Sequence, residues 1–86
     1  MLEYLPSIQD YGIFELIHPR KISGKALREL DLINRYGVQV IAIRSGVEKE
    51  LTFIPRGDYI VKDNDVMILL GSNQAMDQLL KDTTDE

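Results

Sequence analysis

The chain has 86 residues, of which 44% are hydrophobic and 28% are charged, and these proportions predict a single domain with a small core. It contains no cysteine, which excludes disulfide bonds and thiolate metal sites, and its longest apolar run, VMILLG, is far shorter than the roughly 20 residues that span a bilayer. The net charge of −4 argues against nucleic acid as a partner, and the start of the chain lacks the basic segment of a secretory signal, so we expect a cytoplasmic protein.

The first regular element is a strand predicted over residues 11–18, which follows a lead-in at residues 1–10. Apart from Glu15, the residues that alternate between its two faces are largely apolar, and Pro19 ends the strand because proline has no N–H to donate. A domain with only two helices leaves part of such a sheet uncovered. We therefore expect an exposed apolar patch and a homodimer formed about a two-fold axis.

The segment ISGKALRELDLINRYG, residues 22–37, predicts the first helix. Ser23 is its predicted N-cap, and Leu27 and Leu30 form an apolar stripe on one side. Gly37 is expected to end the segment in the left-handed conformation. We expect the regular helix to stop near Leu30 and DLINRYG to form an irregular connection.

The run VQVIAIRS, residues 38–45, predicts a second strand with apolar residues on both faces, which is typical of a central strand. Strict alternation places Val40 and Ala42 on one face, and Gln39 and Ile43 on the other. KELTFIP then predicts a third strand, antiparallel because of its short turn, and VMILLG predicts a fourth.

The segment SNQAMDQLLKD predicts a final helix capped by Ser72 or Asn73, and a polar tail follows at residues 82–86. The order of elements is therefore β-α-β-β-β-α. It predicts an α+β sandwich in which two helices pack on a mixed or antiparallel four-stranded sheet, with the domain spanning residues 11–81.

The sequence carries no convincing catalytic, nucleotide-binding or metal-binding motif, so we do not expect an enzyme. The acidic cluster at residues 63–65 is interpreted as a turn, because an EF-hand loop starting there would have Ile68 where glycine is needed. The single histidine, His18, has no partner at metal-binding spacing. A packing role, a hydrogen bond and a ligand contact all stay open for it.

Four basic residues surround the start of the first predicted helix: Arg20, Lys21, Lys25 and Arg28. Cations beside a helix start favour a phosphate group, but a cluster of this kind is more often a solvated helix face. We favour the solvated face and keep an anion site as the alternative.

Several short motifs follow one another in a fixed order along the chain. They are GKALREL at residues 24–30, YGV at 36–38, Arg44, Pro55, Gly57, Asp58, and Asp65 before the strand that ends at Gly71. This set resembles the C-terminal domain of the regulators of potassium conductance, called RCK_C or TrkA-C, over residues 11–80. The resemblance implies a non-catalytic, dimerising regulatory domain at the cytoplasmic side of a membrane potassium channel or transporter.

In that family the domain usually follows a Rossmann-like RCK_N lobe, which binds nucleotide and assembles into a gating ring. No such lobe is present in this sequence, so we expect no NAD site and no cofactor in this chain. The alternative function is a purely structural dimerisation module of a potassium or antiporter complex.

Some family members bind cyclic di-adenosine monophosphate (cyclic di-AMP) across the dimer interface. By resemblance, Leu27, Leu32 and Pro55 form the apolar wall of this site, and Gln39 is a polar contact. Ile33 stands where the family often has a basic residue, which weakens the contact with phosphate. Leu27 and Leu32 are also candidates for core or dimer-seam residues, and we expect a charge at Leu32 to give folded monomers.

Overall fold

The computed structural model describes residues 9–83, so most of the predicted lead-in lies outside the described part. Its elements are β1 (Tyr11–Ile17), a 3-10 turn (Arg20–Ile22), α1 (Leu27–Leu30), α2 (Leu32–Tyr36), β2 (Gln39–Arg44), β3 (Leu51–Phe53), β4 (Val66–Ser72) and α3 (Asn73–Thr83). The predicted α+β class and order of elements are confirmed, with the first helix divided in two. None of the helices within residues 9–83 has the length and apolar character needed to cross a membrane.

The four strands form one antiparallel sheet in the order β1-β4-β2-β3. Two rows of apolar side chains cross β1, β4 and β2 on the inner face: Phe14, Leu69 and Val40, then Leu16, Met67 and Ile43. Helix α3 packs on this face and buries Met76 and Leu79 in the same core. β2 is thus an inner strand, as its apolar sequence predicts.

A β-bulge at Ile41 changes the face that the second half of β2 presents. Val40 and Ala42 pair with adjacent residues of β4, so Ile41 is an extra residue in the ladder. As a result Ile43, and not Ala42, lies on the inner face with Val40. The predicted strict alternation, which put Ile43 on the face of Gln39, is wrong because it took the strand to be regular.

Helix α1 begins later than its sequence suggests, and Ser23 is not its N-cap. The N-cap is Ala26 in an extended conformation, and its N–H donates to Oε1 of Glu29 at 2.9 Å. The first amides of α1 donate to main-chain carbonyls within residues 57–59. These carbonyls, about 30 residues later in the chain, accept from helix N–H groups that a serine hydroxyl would otherwise cap.

Asp31 separates α1 from α2 because it adopts the left-handed conformation, with φ of 48°. A short polar side chain tolerates this conformation better than most. Helix α1 ends at Leu30 as predicted, but the following segment is helical, so the predicted irregular connection is wrong. Gly37 ends α2 with φ of 73°, as predicted, and its N–H donates to the carbonyl of Ile33 at 2.8 Å.

The core of the domain includes Leu32, which is only 6% exposed and packs in one cluster with Leu30, Val38 and Leu69. A carboxylate at Leu32 would be buried without a partner inside one copy of the chain. The structure thus places Leu32 in the core of one copy, so we now expect a charge there to unfold the chain rather than to give folded monomers.

Helix α3 is capped by Ser72, as predicted, whose Oγ accepts a hydrogen bond from the N–H of Ala75 at 3.0 Å. The helix continues to Thr83, whose hydroxyl donates to the carbonyl of Leu79 at 2.8 Å. The first two residues of the predicted polar tail are thus helical, and residues 84–86 lie outside the described part.

None of the helices in residues 9–83 covers the outer face of the sheet, which agrees with the apolar pattern of β1. Ile13 is 67% exposed and Ile17 is 55% exposed. Leu70, which pairs with Ile13 across the sheet, is 40% exposed. Glu15 and Arg44 form an ion pair with 3.6 Å between carboxylate and guanidinium. An exposed pair of this kind adds at most about 1 kcal/mol of stability.

Candidate functional site

Five residues predicted to contact a ligand line one cavity of about 240 Å³: Leu27, Leu32, Ile33, Gln39 and Pro55. The remaining lining residues are Arg28, Asp31, Val38, Val40 and Gly57. The lining comes from α1, α2, the chain around the start of β2 and the loop after β3. The structure therefore brings residues that are distant in the chain together around one space, which we call the α1–α2 cavity.

Main-chain hydrogen bonds hold the loop after β3 against α1. The N–H of Leu27 donates to the carbonyl of Tyr59 at 3.0 Å, and the N–H of Arg28 donates to that of Gly57 at 2.9 Å. A Cβ atom added at Gly57 would lie 3.4 Å from Cβ of Arg28, so the two segments are in van der Waals contact. These contacts fix the loop that carries Pro55 relative to the helices.

A buried carboxylate fastens the same loop to the start of β4. Asp65 is 1% exposed, and its Oδ2 accepts hydrogen bonds from the Tyr59 hydroxyl at 2.6 Å and the Lys62 N–H at 3.0 Å. Burial, together with the hydrogen bond to Asp65, raises the pKa of Tyr59 well above its ordinary value. The phenol therefore stays protonated at neutral pH and remains a donor to Asp65.

Ile54 enters the loop with φ of 49°, a conformation that β-branched residues rarely adopt. Its N–H donates to the carbonyl of Ile41 at 2.8 Å, which ties the loop to the bulge of β2. Its side chain is nevertheless 73% exposed, and that of the preceding Phe53 is 69% exposed. Rare backbone conformations of this kind concentrate at active sites, ligand clamps and switch regions.

The α1–α2 cavity combines apolar walls with a small number of polar groups, which is the usual composition of a small-molecule site. The Gln39 amide donates to the carbonyl of Val40 at 3.1 Å, and the Asp31 carboxylate accepts from the Asn34 amide at 2.9 Å. Its volume of about 240 Å³ lies below the roughly 300 to 1,000 Å³ of sites that enclose a whole ligand. The space in one copy of the chain is therefore smaller than a typical small-molecule pocket.

Sequence reasoning did not place Arg28 at this cavity. It identified Arg28 only as a member of the basic run, although the neighbouring Leu27 was among the predicted site residues. The contact between Arg28 and Gly57, which puts this cation beside the loop, depends on the tertiary fold. Asp31 was not predicted either, and no sequence signal marks it.

The other candidate residues lie outside the cavity lining. His18 is exposed with φ of 52°, so the packing role is wrong, and the acidic cluster at residues 63–65 forms the predicted turn. Arg20, Lys21 and Lys25 are exposed, as expected of a solvated face. Within residues 9–83 no group of three His, Cys, Asp or Glu side chains is arranged to hold a metal ion.

The family model of the TrkA-C domain matches residues 13–83. The chain is 28% identical over 72 residues to the Ktr system potassium uptake protein C, and 36% identical over 70 residues to the K(+)/H(+) antiporter subunit KhtT, both from Bacillus subtilis (strain 168). These alignments cover 84% and 80% of this chain but 32% and 41% of the two relatives. The chain therefore corresponds to less than half of either protein.

Solved structures share the fold. One is the RCK C domain of the potassium transport protein KtrA in complex with cyclic di-AMP, with a TM-score of 0.77 and 27% identity over 85% of this chain and 84% of that one. Another is the GsuK RCK domain, with a TM-score of 0.74 and 19% identity over 85% of this chain and 16% of that one, a likeness that concerns the fold alone.

Proposed function

The chain belongs to the TrkA-C (RCK_C) domain family, and from that premise we propose that it is a non-catalytic regulatory domain which binds cyclic di-AMP between two copies. The observation that carries this proposal is the α1–α2 cavity, whose lining includes all five residues that the resemblance assigns to a ligand. The similar KtrA domain, at 27% identity, was solved in complex with cyclic di-AMP.

The chemistry of the cavity suits one half of such a ligand. Leu27, Ile33 and Pro55 offer aliphatic surface on which a planar adenine ring can pack. Gln39 can both donate to and accept from the ring nitrogens and the exocyclic amine. Cyclic di-AMP contains two identical nucleotide halves, so a two-fold pair of cavities would present one such surface to each half.

The same geometry supports a homodimer through this face. A second copy would double the available volume and bring it into the usual range for ligand sites. It would also cover Ile33, which lines the cavity and is 55% exposed, and the neighbouring Phe53 and Ile54. Exposed large apolar side chains that form a patch are typical of interfaces. Ligand binding and dimer geometry would then be linked, because the ligand contacts both copies.

The wider partners follow from the family and are part of the proposal. We place the domain beside a Rossmann-like RCK_N lobe and a membrane channel or transporter subunit, at the cytoplasmic face of the membrane. The named relatives are a potassium uptake protein and a subunit of a K(+)/H(+) antiporter, so either type of ion system fits.

One observation favours the alternative, a purely structural dimerisation module. The outer face of the sheet exposes Ile13 and Ile17 next to the ion pair of Glu15 and Arg44, and of the five predicted ligand residues only Gln39 lies on it, beside Leu70. A dimer formed around Ile13 and Ile17 would bury apolar surface by itself and would need no ligand.

Two variants of the full chain separate these proposals. Ile33→Glu places a carboxylate at the cavity, and Ile13→Glu places one on the outer face at a comparably exposed residue. The oligomeric state is measured by sedimentation velocity, and cyclic di-AMP binding by isothermal titration calorimetry. We expect wild type and Ile13→Glu to be dimers that bind cyclic di-AMP, and Ile33→Glu to be a folded monomer that does not.

The opposite pattern, in which only Ile13→Glu becomes monomeric, would support the structural module. Wild-type protein that dimerises but gives no heat with millimolar cyclic di-AMP would contradict the ligand-sensing function. Circular dichroism checks that both variants stay folded.

A further inference from the structure

We propose that Arg28 and Arg56 form the phosphate subsite of the α1–α2 cavity. The identity of the ligand rests on the function proposed above, whereas the anion preference rests on these two side chains alone. A second cleft of about 360 Å³ is lined by Arg28, Arg56, Gly57 and Asp58. It shares Arg28 and Gly57 with the α1–α2 cavity, so the two spaces are adjacent and Arg28 lies at their boundary.

The two arginines come from different segments that are held together. The main-chain hydrogen bond from Arg28 to Gly57, at 2.9 Å, joins α1 to the residue that follows Arg56. The loop is also fixed by the bond from Leu27 to Tyr59 and by the buried Asp65. The backbones that carry both guanidinium groups are therefore in place before a ligand arrives, which reduces the entropy lost on binding.

Among residues 9–83, no carboxylate forms an ion pair with either guanidinium. The ion pair found within residues 9–83 joins Glu15 and Arg44, on the outer face of the sheet. Two carboxylates, Asp31 and Asp58, do line these spaces, but neither lies within ion-pair distance of Arg28 or Arg56. The guanidinium groups thus remain free to form the paired N–H contacts that suit a phosphate oxygen pair.

The arrangement predicts a ligand that joins an apolar ring to an anionic group. Aliphatic side chains of the α1–α2 cavity contact an apolar ring, and the adjoining cations contact a phosphodiester attached to it. Ile33 contributes only apolar surface, so the cations that hold phosphate come from α1 and from the loop after β3. An uncharged nucleoside would use the apolar part alone.

The test compares two ligands on the full chain by titration calorimetry: cyclic di-AMP, which carries phosphodiesters, and adenosine, which does not. Arg28→Gln and Arg56→Gln are each expected to weaken cyclic di-AMP binding about tenfold and to leave adenosine binding unchanged. The value lies between the few-fold effect of an exposed ion pair and the roughly 100-fold effect of a buried charged hydrogen bond. Raising the salt concentration should weaken binding to wild type more than to the double variant.

Two control variants make the result specific. Lys25→Gln removes an exposed cation that lines neither space, and it should change affinity less than twofold. Asp58→Asn removes a carboxylate from the cleft, and it should strengthen binding about twofold because it relieves repulsion of the phosphate. Equal weakening by Arg28→Gln and Lys25→Gln would show a general charge effect and overturn the subsite.

A second readout separates failure of this inference from failure of the proposed function. Inorganic phosphate is titrated while the Arg28 and Arg56 side-chain Nε–Hε resonances are followed by NMR. Shifts with phosphate but no binding of cyclic di-AMP would keep the anion subsite and refute the proposed ligand. Binding of cyclic di-AMP with affinity unchanged in both arginine variants would keep the ligand and overturn the subsite.

Discussion

The substitution Asp65→Ala is predicted to be among the most damaging that can be made outside the apolar core. Asp65 is 1% exposed, and a single oxygen of its carboxylate accepts from both the Tyr59 hydroxyl and the Lys62 N–H. Alanine removes both hydrogen bonds and leaves two donors without this acceptor. The loop that lines the α1–α2 cavity also loses its attachment to the start of β4.

The magnitude can be worked from these contacts. A hydrogen bond to a charged group contributes about 1.5 to 3 kcal/mol to the free energy of unfolding. Lys62 is exposed and Tyr59 is only partly buried, so water can replace part of the loss and the low end of the range applies. Two bonds then amount to about 3 kcal/mol. A chain of 86 residues has a total stability of roughly 4 to 13 kcal/mol, so this loss is a large fraction.

The measurement is urea unfolding followed by far-UV circular dichroism, with an unchanged m value as the check that only stability has altered. Asp65→Asn keeps an acceptor oxygen without the charge and should lose about half as much. Asp63→Ala, in the same turn but exposed, should stay within about 0.5 kcal/mol of wild type. A loss below about 1 kcal/mol for Asp65→Ala, or a loss equal to that of Asp63→Ala, would refute the reasoning.

Leu32→Glu should unfold the chain, with a loss of about 4 kcal/mol or more seen by circular dichroism, because its carboxylate would be buried in the core. Gly46→Ala should lower the free energy of unfolding by about 1 to 3 kcal/mol, seen as a lower urea midpoint, because its Cβ would overlap the main-chain oxygen of Asn64. Folding raises the pKa values of Tyr59 and Tyr36, mainly through burial, so the stability they contribute is complete below pH 10 and is lost as pH rises through the raised folded values. Unfolding curves from pH 8 to 12 should show this decline, reduced in Tyr59→Phe.

Each of these three expectations has a clear contrary result. A cooperative unfolding transition close to that of wild type in Leu32→Glu would mean that the side chain is not in the core. An unchanged midpoint in Gly46→Ala would mean that the turn relaxes freely around a methyl group. Identical alkaline curves for wild type and Tyr59→Phe would show that the phenol does not hold its proton more tightly in the folded state.

Periodicity was sufficient to predict most of the fold. The strands and the last helix are read from alternation and from an amphipathic stripe, which are local properties of the chain. The bulge at Ile41 was missed because a single extra residue leaves the apolar composition of β2 unchanged. The start of α1 was misplaced for a different reason. Its first N–H groups donate to carbonyls within residues 57–59, and no local sequence pattern predicts that contact.

The candidate site also combines residues that the sequence could predict with residues that depend on the tertiary fold. Leu27, Leu32, Ile33, Gln39 and Pro55 were assigned by family resemblance, and the structure gathers them around one cavity. The position of Arg28 beside Gly57 depends on two chain segments meeting, so only the three-dimensional arrangement could reveal it. The choice between core and dimer seam for Leu32 was equally out of reach, because apolar residues at an interface and in a core look alike in sequence.

The bulge has a consequence for length variation among related chains. Deleting Ile41 would restore regular pairing between β2 and β4 without moving Val40 or Ile43 to the other face, so the sheet itself would tolerate a chain shortened by one residue there. The deletion would also remove the carbonyl that accepts from the N–H of Ile54, immediately before Pro55. A homologue lacking this residue would keep its architecture and lose the anchor of the loop that borders the cavity.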